Sequence, residues 1–166
     1  LGTGTLTLSG GTLLTLADIT SARSIILSGN GTIETLFGTT LTTTGSVSGA
    51  GGLTKDGWGT LVLAGVNSFS GGTTINAGTL QIGNGGTAGT LSGNVANSGV
   101  LAFNRSDNFV YSDVISGRGA FIQIGAGLAT FGNDNTYSGG TLILTGALQL
   151  GTGGTAGSIS GDVINN

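Results

Sequence analysis

Residues 47–98 align with residues 115–166 at a constant offset of 68 and without a gap, and about 24 of the 52 paired positions are identical. A chain that repeats itself over such a length is expected to stack equivalent units, since one unit alone cannot bury its own apolar face. The densest match sets Asn67-Ser68-Phe69-Ser70-Gly71-Gly72-Thr73 against Asn135-Thr136-Tyr137-Ser138-Gly139-Gly140-Thr141. It continues with Gly78-Thr79-Leu80-Gln81-Ile82-Gly83 against Gly146-Ala147-Leu148-Gln149-Leu150-Gly151. Gly85-Gly86-Thr87-Ala88-Gly89 then recurs unchanged as Gly153-Gly154-Thr155-Ala156-Gly157. The chain is therefore divided into copies at 47–114 and 115–166 within a single segment, 1–166. A gapless offset predicts a whole number of coils in each unit.

A finer period runs beneath this one. Apolar positions recur about 21 apart, as at Leu61, Ile82, Phe103 and Ile124, or at Leu80, Leu101, Ile122 and Ile143. Locally the pattern alternates, as in Thr5-Leu6-Thr7-Leu8 and Thr60-Leu61-Val62-Leu63, which is the signature of strands. Glycine, asparagine and serine punctuate these runs and supply turns. No segment carries a convincing helical period. Short strands at a fixed spacing predict an all-β chain, a right-handed parallel β-helix of about seven coils. The absence of proline agrees, because every central strand must donate its amides. A propeller fits less well, since its blades need about 40 to 50 residues and four antiparallel strands.

Composition narrows the chemistry. There are 36 glycines but no histidine, cysteine, proline or methionine, and only 7% of residues are charged. Without histidine there is no Ser-His-Asp or Cys-His nucleophile. Without histidine and cysteine there is no ordinary zinc, haem or iron–sulfur site. No catalytic residue, metal site or cofactor is expected. Four basic residues, Arg23, Lys55, Arg105 and Arg118, are too few for a nucleic-acid face. Apolar runs of three or four residues predict no membrane insertion of this segment. The chain starts at Leu1 with no signal-like stretch, so an excised fragment is expected. Copy two stops at Asn166 where copy one continues with Ser98-Gly99-Val100, so the parent chain is expected to run on.

Individual motifs favour structural roles. Gly83-Asn84-Gly85-Gly86-Thr87-Ala88-Gly89 lacks the lysine ending of a phosphate loop and reads as a turn between coils. The glycine clusters lack the aspartate of calcium-binding β-rolls. The seven acids (Asp18, Glu34, Asp56, Asp107, Asp113, Asp134, Asp162) look scattered. Asp107 and Asp113, near Arg105 and Arg118, form the densest group and read as a solvated loop. Lys55 is expected to point outward from an exposed strand, and Trp58 to cover a coil corner, with sugar stacking as the lesser option. Phe69 and Tyr137 match across the copies and suggest repeated packing. Asn67 and Asn135 match too, as amide ladders or turn caps. Threonine arrays at Thr3–Thr7 and Thr40–Thr44 fade too early for an ice-binding face and follow from β-propensity.

Residues Gly51-Gly52-Leu53-Thr54-Lys55-Asp56-Gly57-Trp58-Gly59-Thr60-Leu61-Val62-Leu63-Ala64-Gly65, then Asn67 to Ile75 and Gly78-Thr79-Leu80, resemble the autotransporter-associated β-strand repeat, also called the passenger-associated transport repeat. The landmarks that carry the resemblance are Gly57, Gly59, Leu61, Asn67, Gly71, Gly72, Thr73, Ile75, Gly78 and Leu80. In the second copy they are Asn135, Gly139, Gly140, Thr141, Ile143, Gly146 and Leu148. That copy departs in its first half, where Phe121-Ile122-Gln123-Ile124-Gly125-Ala126-Gly127 replaces the leucine–lysine stretch. The resemblance implies a piece of a type V secreted passenger, displayed as a β-helical stalk outside a Gram-negative cell and assisting export and folding. It implies one partner, the C-terminal outer-membrane barrel of the parent chain. Adhesion to a host surface receptor, self-association, and fibre formation are the alternative functions.

Overall fold

The computed structural model describes residues 4–166, so Thr3 of the first threonine array lies outside the described residues. Among these residues there are twenty short strands and no helix. Among the described residues every strand pairing is parallel, and each turn of the chain visits three faces in the same order.

The third face is the most continuous. It stacks β3 (Ile19–Ser21), β6 (Thr40–Thr43), β9 (Thr60–Leu63), β11 (Thr79–Ile82), β13 (Val100–Phe103), β16 (Ala120–Gln123), β18 (Thr141–Ile143) and β20 (Val163–Asn165) into one eight-stranded sheet. The second face stacks β2 (Thr12–Thr15), β5 (Gly31–Thr35), β8 (Leu53–Asp56), β10 (Thr73–Ile75), β12 (Val95–Asn97) and β15 (Ile115–Ser116). The first face carries β1 (Leu6–Leu8), β4 (Ile25–Leu27) and β7 (Val47–Ser48) early in the chain. Late in the chain it carries β14 (Phe109–Tyr111), β17 (Leu128–Phe131) and β19 (Ala147–Leu150). Between those two groups, residues 67–70 and 89–92 cross that face without strand geometry. They remain tied in, for Ser68 N donates to Val47 O at 2.8 Å and Thr90 Oγ1 to Asn67 O at 2.7 Å.

The architecture is thus a parallel β-solenoid of about eight turns, one more than the seven expected. The register explains the difference. Successive turns take 19 to 22 residues, as shown by the stacked positions Ile19, Leu41, Leu61, Leu80, Leu101, Phe121, Thr141 and Val163. A constant spacing of 21 therefore drifts. It pairs Leu61 with Ile82, whereas the stacked partner of Leu61 is Leu80. It also counts Ile122 as inward, although Ile122 stacks with Ala102 on the outward side, between the buried Phe121 and Gln123. A slip of one residue exchanges the two sides of a strand.

Inside, Leu41, Leu61, Leu80, Leu101 and Phe121 form one buried column, with Leu63, Ile82 and Phe103 beside it. Full burial of each such side chain contributes about 1.5–3 kcal/mol. The core is aliphatic through the early turns and aromatic later. Phe103 meets Phe109, Tyr111, Phe121 and Phe131 edge-on, with centroids 5.0 to 6.3 Å apart. Such contacts add about 0.5–1.5 kcal/mol beyond area alone.

The 68-residue repeat does not correspond to a whole number of turns. Leu53 stacks through Thr73 and Val95 to Ile115 on the second face, three turns on. Its repeat equivalent, Phe121, lies on the third face. The same advance takes β9 of the third face to β17 of the first, and β11 to β19. Each unit therefore spans three turns plus one further face. Any face can receive any part of the unit because each is only a short strand with inward apolar positions closed by a tight corner.

The corners advance in the same way. Gly29, Gly51 and Gly71 stack between the first and second faces, and a Cβ built on Gly51 would lie 1.9 Å from Gly29 O. Gly99, Gly119 and Gly139 stack between the second and third faces, with a Gly119 Cβ 2.4 Å from Gly99 O. Gly119 and Gly139 are the equivalents of Gly51 and Gly71.

Candidate functional site

The landmark residues occupy corners and the inward columns between them. Gly72 and Gly140 share positive φ angles of +78° and +85°, and Gly78 and Gly146 share +64° and +66°. Gly57 has φ +71°, and a Cβ on Gly59 would press 2.3 Å from Leu36 O. Leu61, Ile75 and Leu80 are fully buried, and Thr73 and Thr141 nearly so. Ile143 and Leu148, closer to the last turn, are half-buried.

Asn67 and Asn135 are caps rather than a ladder. Asn67 Oδ1 accepts from Val47 N at 3.0 Å, and its Nδ2 donates to Gly65 O at 3.1 Å. Asn135 Oδ1 accepts from Ile115 N at 2.8 Å, and its Nδ2 donates to Asn133 O at 2.8 Å. They lie on different faces, so their amides never stack. Each satisfies backbone groups that a sheet ladder leaves open where the chain crosses without a strand.

Lys55 does not point outward. It is fully buried in the column of Ile33, Ile75 and Asn97. Its ammonium donates to Asp56 O and Gly57 O at 2.6 Å and to Ala77 O at 3.3 Å. Burial pushes its pKa down to about 8, against the opposing pull of the Asp56 and Glu34 carboxylates. The long side chain reaches back to a corner whose carbonyls have no amide partner. Gln123, its repeat equivalent, does the same work by donating Nε2 to Gly125 O at 2.9 Å and Gly127 O at 3.2 Å. The position requires a buried donor of that length, and charge is incidental. Lys55→Gln is accordingly expected to keep stability within about 1 kcal/mol. Lys55→Met, which strands the carbonyls, is expected to lose about 1–3 kcal/mol in urea unfolding. Between pH 8 and 10.5 the unfolded chain binds more protons at Lys55 than the folded one, so stability rises with pH in that window. The Lys55→Gln variant will lack that rise.

Phe69 and Tyr137 are both buried, as matching positions on different faces. Tyr137 Oη and Thr141 Oγ1 share a hydrogen bond of 2.6 Å, whereas Thr73 Oγ1, the equivalent of Thr141, is buried without a partner. The missing phenol hydroxyl of Phe69 accounts for that orphan. Phe69→Tyr is expected to raise stability by about 1 kcal/mol, measured as a higher urea midpoint.

The Arg105–Asp113 stretch is not simply a solvated loop. Arg105 is buried, paired with Asp107 through Nε–Oδ1 (3.0 Å) and Nη2–Oδ2 (2.7 Å), and its Nη1 donates to Gly89 O. The guanidinium lies 4.9 Å from the centroid of the Phe109 ring. Its hydrogen bonds hold the Asp107 carboxyl below its usual range. Asp113 Oδ2 accepts from Gly93 N at 2.8 Å, and Tyr111 Oη donates to Gly93 O at 2.7 Å. Burial, with Asp113 adding to it, pushes the Tyr111 phenol up. Arg105, Phe109 and Tyr111 line a cleft of about 180 Å³ where the first face regains its strands. The spacing Arg-x-Asp-x-Phe was the available signal, for alternate residues on a strand-like segment share one side.

Trp58 stands 75% exposed at the corner between the second and third faces. The same corner gathers Asp18, Glu34 and Asp56 in the first three turns, so these three acids are not scattered. Asp18 Oδ1 accepts from Thr40 N at 2.8 Å, and Asp56 Oδ1 from Gly57 N at 2.8 Å. At another corner, Asp134 Oδ1 accepts from Ser158 N and Gly157 N, which lowers its pKa.

Stacked parallel turns, tied at their corners by repeated glycines and buried polar donors, define a repeat-built β-solenoid stalk segment. The family model described as Passenger-associated-transport-repeat matches residues 53–82 and 121–150. The chain thus carries two copies of the passenger repeat of autotransporters. A relative, the Adhesin BmaC autotransporter of Brucella suis biovar 1 (strain 1330), is 46% identical over 145 residues. That alignment covers 87% of this chain and 4% of the relative, so the chain spans a small fraction of that protein's length. No solved structure matches the chain. As an autotransporter passenger segment, the chain is a secreted, cell-surface stretch of β-helical stalk in a Gram-negative bacterium.

Proposed function

We propose that this segment is a non-catalytic scaffold that assists export and folding of its passenger and holds a functional region away from the cell. The observation that carries this is the uninterrupted stacking of turns. Leu53 N bonds to Gly72 O, Thr73 N to Asn94 O and Val95 N to Val114 O, each at 2.9 to 3.0 Å. Each formed turn presents a ready edge to the next, so folding on the outer side of the membrane opposes backsliding of the chain. Such a segment acts with an outer-membrane barrel at the C-terminus of its parent protein. The 68-residue copies act as structural modules in this scaffold, and their landmark residues as corner and core positions rather than ligand groups.

Adhesion is the second reading, favoured by the name of the Brucella relative. Deletion of residues 47–166 in frame from the displayed parent separates the two. Scaffolding predicts that surface-exposed protein and cell adhesion fall together. Normal display with adhesion lost would instead put the binding surface on these turns.

A further inference from the structure

We infer that the corner between the second and third faces in turns one to three is a docking surface for a protein segment that alternates basic and apolar side chains. Leu16, Leu36, Phe37 and Trp58 all lie at this corner and all are exposed, Phe37 by 81%. Stacking at one corner brings together apolar residues that are far apart in sequence. An exposed apolar group of this kind marks an interaction site more often than single surface leucines do.

The charge beside it selects the partner. Glu34 and Asp56 are register neighbours on β5 and β8, at the ends that lead into this corner. Both are only half-buried. Lys55 is buried beneath them with its ammonium on three backbone carbonyls, and it forms no salt bridge with either carboxylate. Carboxylates beside exposed rings make the pair of groups that best holds a guanidinium or ammonium. The chain displays that recognition elsewhere in its own fold, where Arg105 lies over Phe109 and pairs with Asp107. Trp58 and Phe37 beside Asp56 and Glu34 offer the same chemistry to an incoming arginine.

Other occupants fit less well. Two copies of this chain meeting corner to corner would oppose Glu34 and Asp56 to themselves. A neutral glycan would use the rings but leave Leu16 and Leu36 uncovered. The surface stands apart from the stalk reading, which needs only the core and corners.

The test is fluorescence anisotropy with a labelled ten-residue peptide of alternating arginine and leucine, against a glutamate–leucine peptide and cellohexaose. The expected result is saturable binding of the basic peptide that weakens with salt, and none of the acidic one. Trp58→Ala, and separately Glu34→Gln with Asp56→Asn, should each weaken binding about tenfold, the loss of roughly one aromatic or charge-assisted contact. Asn at 56 retains the acceptor for Gly57 N, and circular dichroism checks that each variant keeps its strand signal. Equal binding by the Trp58→Ala variant, or equal binding of the acidic peptide, would overturn the proposal. So would binding of cellohexaose alone, or Trp58-dependent dimerisation of the chain in sedimentation.

Discussion

Leu80→Asp is expected to collapse the middle of the solenoid and to stop the passenger from accumulating at the cell surface. Leu80 is fully buried and stacks between Leu61 and Leu101 in the long inward column of the third face. A carboxylate there has apolar neighbours above and below and no donor in the column. Burying it charged is prohibitive, and burying it protonated still costs about 2–7 kcal/mol for the unpaired polar group. The solvation loss adds to the lost leucine burial, so the total rivals the whole stability of an ordinary domain. Thr74→Asp is the matched control. Thr74 is exposed on the outward side of β10, stacked with Thr54 and Ala96, and its substitution should move stability by about 0.5 kcal/mol or less. Urea unfolding of the chain and protease accessibility of the displayed parent measure both consequences. Wild-type display of the Leu80→Asp protein would contradict the scaffold function.

The second large effect comes from a residue with no side chain. Gly51→Val is expected to cost about 3 kcal/mol or more, because its Cβ would sit 1.9 Å from Gly29 O and 2.5 Å from Gly29 C. Both atoms are backbone of the neighbouring turn, so relief requires the turns to separate and their axial hydrogen bonds to lengthen. Gly51 N itself donates to Leu27 O at 2.8 Å across that contact. Gly86→Val provides the contrast, since a Cβ there meets nothing within 4 Å. It should change stability by about 0.5 kcal/mol or less. Thermal or urea midpoints of the two variants give the comparison directly. Equal midpoints would mean that the corners do not set the spacing of the turns.

Much of the fold was legible because its constraints are local. Alternation in Thr60-Leu61-Val62-Leu63 marks a strand, and the absence of proline permits an unbroken ladder. The 68-residue offset marks a solenoid. Register was not legible at a fixed spacing, because turns of 19 to 22 residues differ in how much corner they carry. The sequence of a unit also says nothing of which face it starts on, so the one-face advance emerged only from the stacking of Leu53, Thr73, Val95 and Ile115. The burial of Lys55 runs against its residue type, because long cations are seldom buried. The informative clue was its replacement by Gln123, which preserves donor capacity and reach while discarding charge. The exposed corner of Phe37 and Trp58 was invisible for a different reason. Its members are brought together only when the turns stack.

The one-face advance has a consequence for display. The exposed loops after β11 and β19, both carrying Gly-Gly-Thr-Ala-Gly, leave the solenoid at different corners. An array of such units turns its equivalent surfaces progressively around the rod instead of aligning them along one side.

Thiol pairing tests this geometry most directly, since the chain has no cysteine of its own. Three double-cysteine variants, Ala96 with Ser116, Ala102 with Ile122, and Ala96 with Ile122, would be treated with a short thiol-bridging reagent. The stacking of β12 on β15 and of β13 on β16 predicts bridging of the first two pairs, slower at the buried Ala102, and none of the third. Bridging of Ala96 to Ile122 without bridging of Ala102 to Ile122 would place the second copy directly above the first, and would contradict a repeat of three turns and one face.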